Sequence, residues 1–378
     1  MKVCILSSVH IALDNRVFYR EAHSLHRAGY EVSLIAVHDG EETRDGVRII
    51  PLPRVARWQR PSLWGRLLRL AAETQADIYH FHDPELLLVA PWLRRRTGKP
   101  IIYDVHEVYA DFIKVKDYMP GAVRYPLAWA FRWLEPLLAR LVDGLIFADD
   151  EIARSFRRLP QPRTTLFNYP LPSLVAAGDE ATRDLTERPP VVLHLGGHER
   201  NRGTRLMIEA FHQVLNQRPD ARLYLVGPYT PASLQQEVEE DIEQRGIGQA
   251  VTITGRVPFD RIGDYMTEAA VGWVAWQDMP KNAKNIPTKL FEYMAYRLPI
   301  VSSDLPSVRP YVDDGQNGYL VPAPDAAAHA QAILELLDSP RLVRRLGDEG
   351  QERVHYSFNW SAEEPKLLDL YARLLARE

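Results

Sequence analysis

Glu292 stands three residues after Lys289 and four after Thr288, inside a segment, 285–301, that otherwise reads as a short helix running into a buried strand. Pro287 or Thr288 opens that helix, Leu290, Phe291 and Met294 give it an apolar stripe, and Pro299 stops it before Ile300 and Val301. A lone acid on such a helix can accept hydrogen bonds from the vicinal hydroxyls of a ribose with its two oxygens, and the helix start beside Lys289 favours a phosphate. The same pattern also fits a plain ion pair between Glu292 and Lys289 one turn apart. A second cluster, Leu195-Gly-Gly-His-Glu-Arg-Asn-Arg-Gly203, offers Gly196 and Gly197 for close backbone approach, Arg200 and Arg202 for charge, and a helix start behind them. That composition suits a diphosphate cradle, and it suits a solvated basic loop as well. His80 and His82 share one face of a strand and could hold a metal as a pair, but no third ligand stands near them in sequence, so they are read as structural.

The elements that must position these residues alternate between strand and helix, twice over. In the first half, short apolar runs at 3–6, 31–37, 78–82, 101–104 and 144–147 are separated by helical patterns such as 18–28, 63–74 and 86–96. In the second half the rhythm restarts with runs at 191–195, 222–226, 251–254, 271–275 and 300–302. Near-continuous apolar strands between helices mean parallel sheets covered on both faces, so the chain is α/β with two doubly wound domains. The proline-rich stretch 160–190 breaks the pattern and reads as the connection, with the linker proper at 171–190. Residues 361–375 form an amphipathic helix capped by Ser361.

Composition narrows the function. A chain of 378 residues with 46% hydrophobic and 25% charged residues is of ordinary globular make-up and long enough for two domains. No apolar run approaches the roughly 20 residues of a membrane span, and Met1-Lys-Val-Cys-Ile-Leu runs directly into a strand, so a cytoplasmic protein is expected. Cys4, the single cysteine, excludes internal disulfides and cysteine-rich metal sites. A dinucleotide-binding turn after the first strand would need Gly-x-Gly-x-x-Gly, whereas the sequence there is Ser7-Ser-Val-His-Ile-Ala-Leu-Asp-Asn-Arg16. Nicotinamide chemistry is therefore not expected. Nothing in the chain points to nucleic acid.

Five blocks, taken in order, resemble the retaining glycosyltransferases of family 4: Asp14-Asn-Arg-Val-Phe-Tyr-Arg-Glu-Ala-His with the following residues to Val32, Tyr79-His-Phe-His-Asp-Pro-Glu85, Ile102-Tyr-Asp-Val-His-Glu107, Gly196-Gly197 with Arg202-Gly203, and 287–301. The resemblance covers nearly the whole chain. It implies the GT-B fold, two Rossmann-like domains facing across a cleft: an acceptor-side domain at 1–170, a nucleotide-sugar domain at 191–360, and a terminal helix at 361–378 packed back on the first. By the same resemblance Glu292 is the acid that holds the donor ribose, and Arg202 stands where the family usually has a lysine on the donor diphosphate. His106 matches the histidine near the transferred sugar, and Asp14, Asn15 and Arg16 match the first-domain loop beside the cleft. Gly196, Gly197, Arg200, Thr288 and Lys289 complete the expected donor site, with no metal and no other cofactor. The leaving diphosphate gains negative charge, which Arg202, Lys289 and the backbone after Gly197 are placed to stabilise.

Two departures stand out. Lys284 occupies the position eight before Glu292 where the family often has a glutamate on the sugar hydroxyls, and the usual arginine ahead of the diphosphate loop is replaced by Gly197 and His198. A lysine there could pair with a carboxylate on the sugar, which makes a uronic-acid donor an option. The departure also leaves open a sugar-nucleotide-binding subunit without transferase activity and a GT-B epimerase. On the acceptor side, residues 50–141 hold 14 Lys and Arg against 9 Asp and Glu although the whole chain is at −4. Arginines interleave with Trp58 and Trp64, and again with Trp129 and Trp133, a composition that suits an anionic membrane surface and a lipid-linked saccharide acceptor. A solvated helix face with core tryptophans, and a soluble saccharide acceptor, fit the same residues.

Overall fold

The computed structural model describes residues 1–114, 119–183, 187–258 and 261–376, which divide into two units, Met1–Asn168 with Trp360–Glu378 and Tyr169–Asn359. The first is built on eight strands: β1 (Lys2–Ile11), β2 (Glu31–Val37), β3 (Glu42–Arg44), β4 (Val47–Leu52), β5 (Ile78–Phe81), β6 (Ile101–Val105), β7 (Gly144–Phe147) and β8 (Arg163–Thr165). They lie in the order β3-β4-β2-β1-β5-β6-β7-β8, all parallel except the edge strand β3. The four residues of β5 and of β7 and the five of β6 are all buried, as strands sandwiched between helix layers must be. From β1 the chain first builds outward through β2 and β4, then returns to the other side of β1 with β5. That reversal makes the gap between the C-terminal ends of β1 and β5 the place where a doubly wound sheet receives a ligand.

The second unit repeats the plan with β9 (Val191–Leu195), β10 (His198–Glu199), β11 (Arg222–Val226), β12 (Tyr229–Thr230), β13 (Val251–Gly255), β14 (Val271–Val274), β15 (Ile300–Ser303) and β16 (Gly318–Val321). Its parallel sheet runs β13-β11-β9-β14-β15-β16, and its reversal falls between β9 and β14. β10 and β12 pair with each other just beyond the ends of β9 and β11.

The helix Trp360–Leu375 belongs to the first unit. Trp360 Nε1 donates to Ser24 Oγ (2.8 Å), Glu363 Oε2 accepts from the Phe167 amide (3.1 Å), and the Tyr371 hydroxyl meets His80 Nδ1 (2.9 Å). Gly144 lies close beneath it: a Cβ there would come 2.7 Å from Leu374 Cδ1, so that side chain would have to shift to admit one.

The stretch 171–190 is not a bare linker. It contains the helix Pro172–Thr182, whose proline sits in the first turn where a missing N–H costs nothing. Val175, Gly178 and Thr182 are buried, and a Cβ on Gly178 would come 2.1 Å from the Ala295 carbonyl, so this helix is packed tightly into the second unit. Also absent from the sequence reading are β3, β4, β8, β10, β12 and β16. β3 and β8 have three residues each, and β3 is exposed at all of them, whereas the run of β4 is broken by exposed Arg48 and by Pro51.

Candidate active site

In the second unit the expected residues gather at the C-terminal ends of β9 and β14. Gly196 leaves β9 with φ +104°, exposed, and a Cβ on it would lie 3.2 Å from the Lys289 Nζ, which measures how closely that side chain overhangs the turn. Gly203 has φ +74° and a Cβ there would collide with the Ala275 carbonyl at 1.7 Å, so only glycine lets the helix Thr204–Gln217 start this close to the end of β14. The Arg202 guanidinium lies over the Trp276 ring, 4.7 Å from its centroid, and donates to Glu199 Oε1 at 3.4 Å. Asn282 ties the two loops together, its Nδ2 donating to the Asn201 and Gln277 carbonyls (2.9 and 2.8 Å).

Lys289 is buried at the start of the helix Lys289–Ala295. His194 Nδ1 lies 2.9 Å from the Trp273 carbonyl, which can only accept, so the proton is on Nδ1 and the Nε2 lone pair receives Lys289 Nζ at 3.1 Å. His194 is thus neutral, consistent with a pKa held well below the usual value by burial and by the Lys289 charge. Burial and the charge on Arg202 likewise hold the Lys289 pKa well below that of a free lysine, partly offset by Glu292 and Glu199. His198, stacked on Tyr229 with ring centroids 4.3 Å apart, is lowered to about 3 by burial and then by Lys289 and Arg202. Glu292 is half-buried on the same short helix, one turn beyond Lys289. Lys289 Nζ makes a hydrogen bond to His194, and the Glu292 charge one turn on favours its ammonium electrostatically.

Two expected residues stand apart from this group. Arg200 is exposed and bonded in a fork to the Glu237 carboxylate (2.8 Å from Nη1), an ion pair at the surface. Thr288 is exposed and caps nothing with its side chain; its carbonyl accepts from the Phe291 amide. Lys284, half-buried, sits in the turn that closes with its own amide on the Lys281 carbonyl (3.2 Å).

The first unit assembles a buried polar cluster at the ends of β1, β5 and β6. Asp14 Oδ1 accepts from the Arg16 and Val17 amides (2.8 and 3.0 Å), which starts the wide turn Val17–Ala22 with its bond from the Glu21 amide back to the Arg16 carbonyl. Asn15 is exposed beside it. Arg16 is 4% exposed and engaged within the protein: Nε and Nη2 grip Asp104 (2.7 and 3.0 Å) while Nη1 reaches the Leu166 carbonyl and Asn168 Oδ1. It is a brace of the fold. Asp104, although burial alone would raise its pKa, is held well below the carboxylate range by Arg16 and the histidines. His106 Nε2 lies 3.0 Å from Asp104 Oδ2 and 3.0 Å from His82 Nδ1, so its orientation is fixed from below. His10 packs against His106 with ring centroids 5.1 Å apart; burial would lower its pKa, but the Asp14 hydrogen bond and the charges of Asp83, Asp14 and Asp104 prevail and raise it.

Comparison with known proteins now bears on this geometry. A model of the glycosyl transferase 4-like domain matches residues 15–170, and one of glycosyl transferases group 1 matches residues 189–339. The chain belongs to the family 4-type glycosyltransferases. It is 26% identical over 333 residues to a phosphatidyl-myo-inositol mannosyltransferase of Mycobacterium leprae, covering 86% of this chain and 82% of that one. It is 25% identical over 360 residues to an alpha-D-kanosaminyltransferase of Streptomyces kanamyceticus, covering 86% and 87%. In fold this glycosyltransferase is similar to sucrose-phosphate synthase of Thermosynechococcus elongatus (TM-score 0.77, 21% identity, all of both chains) and to Anabaena HepE solved with UDP-glucose (TM-score 0.74, 14% identity, 99% of this chain and 100% of that one). These likenesses bear out the two-Rossmann GT-B architecture.

The glycosyltransferase also holds what sequence reading missed. His80 and His82 do have further donors nearby, namely Glu21 and Asp104, with ligand atoms all within 4.8 Å and every residue buried. The Arg16 guanidinium, 3.1 Å from Glu21 and 2.7 Å from Asp104, already supplies the cation between those carboxylates, so the set reads as a polar core braced by arginine. His194 and Trp276 gave one signal in sequence, a polar or bulky residue at the end of an apolar strand, but their partners come from elements far along the chain.

Proposed function

We propose that this glycosyltransferase moves a sugar from a nucleoside diphosphate sugar to a saccharide or lipid-linked acceptor, with retention at the anomeric carbon. One arrangement carries the reading: an exposed glycine turn overhung by buried Lys289, with Arg202 held on Trp276 and the half-buried Glu292 one helical turn further along. The two cations suit a diphosphate, and the Glu292 carboxylate suits the ribose diol. HepE, which has this fold, was solved with UDP-glucose, and the mannosyltransferase relative is named for a phosphatidyl-inositol acceptor; both agree with the proposed donor and acceptor classes.

In the proposed reaction the bond from the anomeric carbon to the diphosphate oxygen breaks, and its electron pair leaves with the diphosphate. Arg202 and Lys289 stabilise that charge as it grows. The acceptor hydroxyl forms the new bond on the same face, and its proton passes to the departing diphosphate, so no protein nucleophile is required. His106, oriented by Asp104, binds near the transferred sugar. With two protein cations on the diphosphate, transfer needs no metal. Lys284 suits either a donor whose sugar bears a carboxylate or a solvated loop that leaves the sugar untouched. A panel of neutral and uronic nucleotide sugars, followed by release of nucleoside diphosphate and by NMR of the product anomer, tests the reading. Turnover with the donor's anomeric configuration in the product is expected; an inverted product, or nucleotide binding with no transfer to any acceptor, would overturn it.

A further inference from the structure

The helix Gly121–Leu138 turns almost all of its surface outward. Only Ala128 and Glu135 are buried, with the Tyr103 hydroxyl donating to Glu135 Oε1 (2.8 Å) as the anchor. Val123, Leu127, Trp129, Trp133, Leu134 and Leu137 are all exposed, with Trp129 at 68% and Trp133 at 60%. Glu135 is the helix's one acid and it faces inward, so the outer face is apolar and aromatic with no negative charge. At the helix's C-terminal end a groove of about 590 Å³ joins Trp133 and Leu137 to Arg132, Arg140, Arg157 and Arg158. Those four arginines are exposed, and among the described residues none has an acidic partner within ion-pair distance, whereas the neighbouring Arg154 is taken by Glu151 at 2.7 Å. Of the tryptophans flanked by arginines earlier in the chain, Trp58 is exposed while Trp64 packs against the core.

A soluble surface does not ordinarily leave so much contiguous apolar area open. What covers it must accept tryptophan and leucine while supplying negative charge to four arginines. A second copy of this chain seated face to face would bring the same arginines against each other. An anionic lipid surface supplies both requirements at once: tryptophan sits well at the boundary of headgroup and acyl chain, and arginine pairs with phosphate. At about 1.5 Å per residue the helix is roughly 27 Å long, enough to lie along such a surface without crossing it.

We propose that the helix Gly121–Leu138 and the arginine groove at its end dock the protein on an anionic phospholipid surface, with Trp129 and Trp133 inserted at the headgroup boundary and Arg132, Arg140, Arg157 and Arg158 over the phosphates. This deepens the acceptor side of the reading above, because a lipid-linked acceptor resides in such a surface, but the test is independent of transfer. The full chain is floated with vesicles of phosphatidylcholine alone and of phosphatidylcholine with phosphatidylglycerol in equal parts, alongside Trp129→Ser/Trp133→Ser and Arg157→Glu/Arg158→Glu. Binding is expected to the anionic vesicles, to fall with added salt, and to weaken roughly tenfold or more in the arginine variant. Nucleotide titration of each variant checks that the fold and the donor site are intact, so failure here is separable from failure of the proposed reaction. Equal binding to neutral vesicles, binding unchanged in both variants, or a dimer in sedimentation that the tryptophan variant dissolves would each overturn the proposal.

Discussion

Lys289 is where the proposed donor site is most sharply tested at the scale of one residue. Its ammonium is buried beside Arg202 and rests on a neutral histidine, so in the free protein its proton is loosely held. A bound diphosphate supplies the missing negative charge and must raise that pKa again. Binding of a nucleoside diphosphate, followed over a series of alkaline pH values, should therefore take up a proton where the free lysine has lost it, seen as a calorimetric enthalpy that changes with the ionisation enthalpy of the buffer. An enthalpy independent of buffer would mean that Lys289 does not meet the diphosphate. The residue types here were legible from the sequence, because a glycine turn, two basic residues and an acid at helical spacing are local patterns. What each side chain touches was not. Arg16 looks like a free cation in Asp14-Asn-Arg16, yet its partners Asp104, Leu166 and Asn168 lie far along the chain, and nothing local announces that its charge is consumed in the fold. Arg200 repeats the lesson at the surface, where its partner Glu237 lies 37 residues on.

At the scale of elements, the helix Gly121–Leu138 joins two demands in one place, an outer face open to solvent and an inner face held by one buried acid. Burial raises the Glu135 pKa to about 8, so near pH 7 the folded protein keeps it protonated while the unfolded chain, with an ordinary value of 4.5, does not. A carboxyl whose folded pKa is raised stabilises the fold least at high pH, and stability is lost as pH rises from the unfolded value through the folded one. Glu135→Gln keeps the acceptor for Tyr103 and removes that cost. It should leave the melting temperature nearly unchanged near pH 5 and raise it near pH 7, with a gain on the order of 3 kcal/mol. A variant no more stable at pH 7 than at pH 5, relative to wild type, would place Glu135 in water. Strands with unbroken apolar runs were readable because burial on both faces admits little else. The helix Pro172–Thr182 was not, since its first-turn proline and small residues spell a linker locally and only its packing against Ala295 makes it part of the second unit.

Across the whole molecule, the chain's two ends are joined in one unit, where Tyr371 of the returning helix bonds His80 and completes the buried cluster of Glu21, His80, His82 and Asp104. Burial lowers His82 to about 4 and His80 well below the usual value, so on acidification the unfolded chain binds protons first. The stability these histidines contribute is full above about pH 6.5 and is lost as pH falls toward 4. Glu135, the cluster's own Glu21 and the neighbouring His10, all raised, run the opposite way over that range, so the effect is read as a difference: the melting temperature should fall more from pH 7 to pH 5 in Glu135→Gln than in Glu135→Gln/His82→Asn, and an equal fall would mean that the cluster admits water or protons freely. A cluster gathered from residues 21, 80, 82, 104 and 371 has no local signature, which is why only two of its histidines drew attention in sequence. The donor site is different, because its residues fall in two short blocks of one unit, and the reading of the whole protein as a sugar-nucleotide transferase stands on it. The most direct measurement is a calorimetric titration of wild type and Glu292→Ala with the nucleoside diphosphate of whichever sugar nucleotide supports turnover. Loss of two hydrogen bonds to a charged acceptor predicts binding weaker by about 1–3 kcal/mol with the fold intact; an affinity equal to wild type would show that the ribose is held elsewhere and that the donor site has been misplaced.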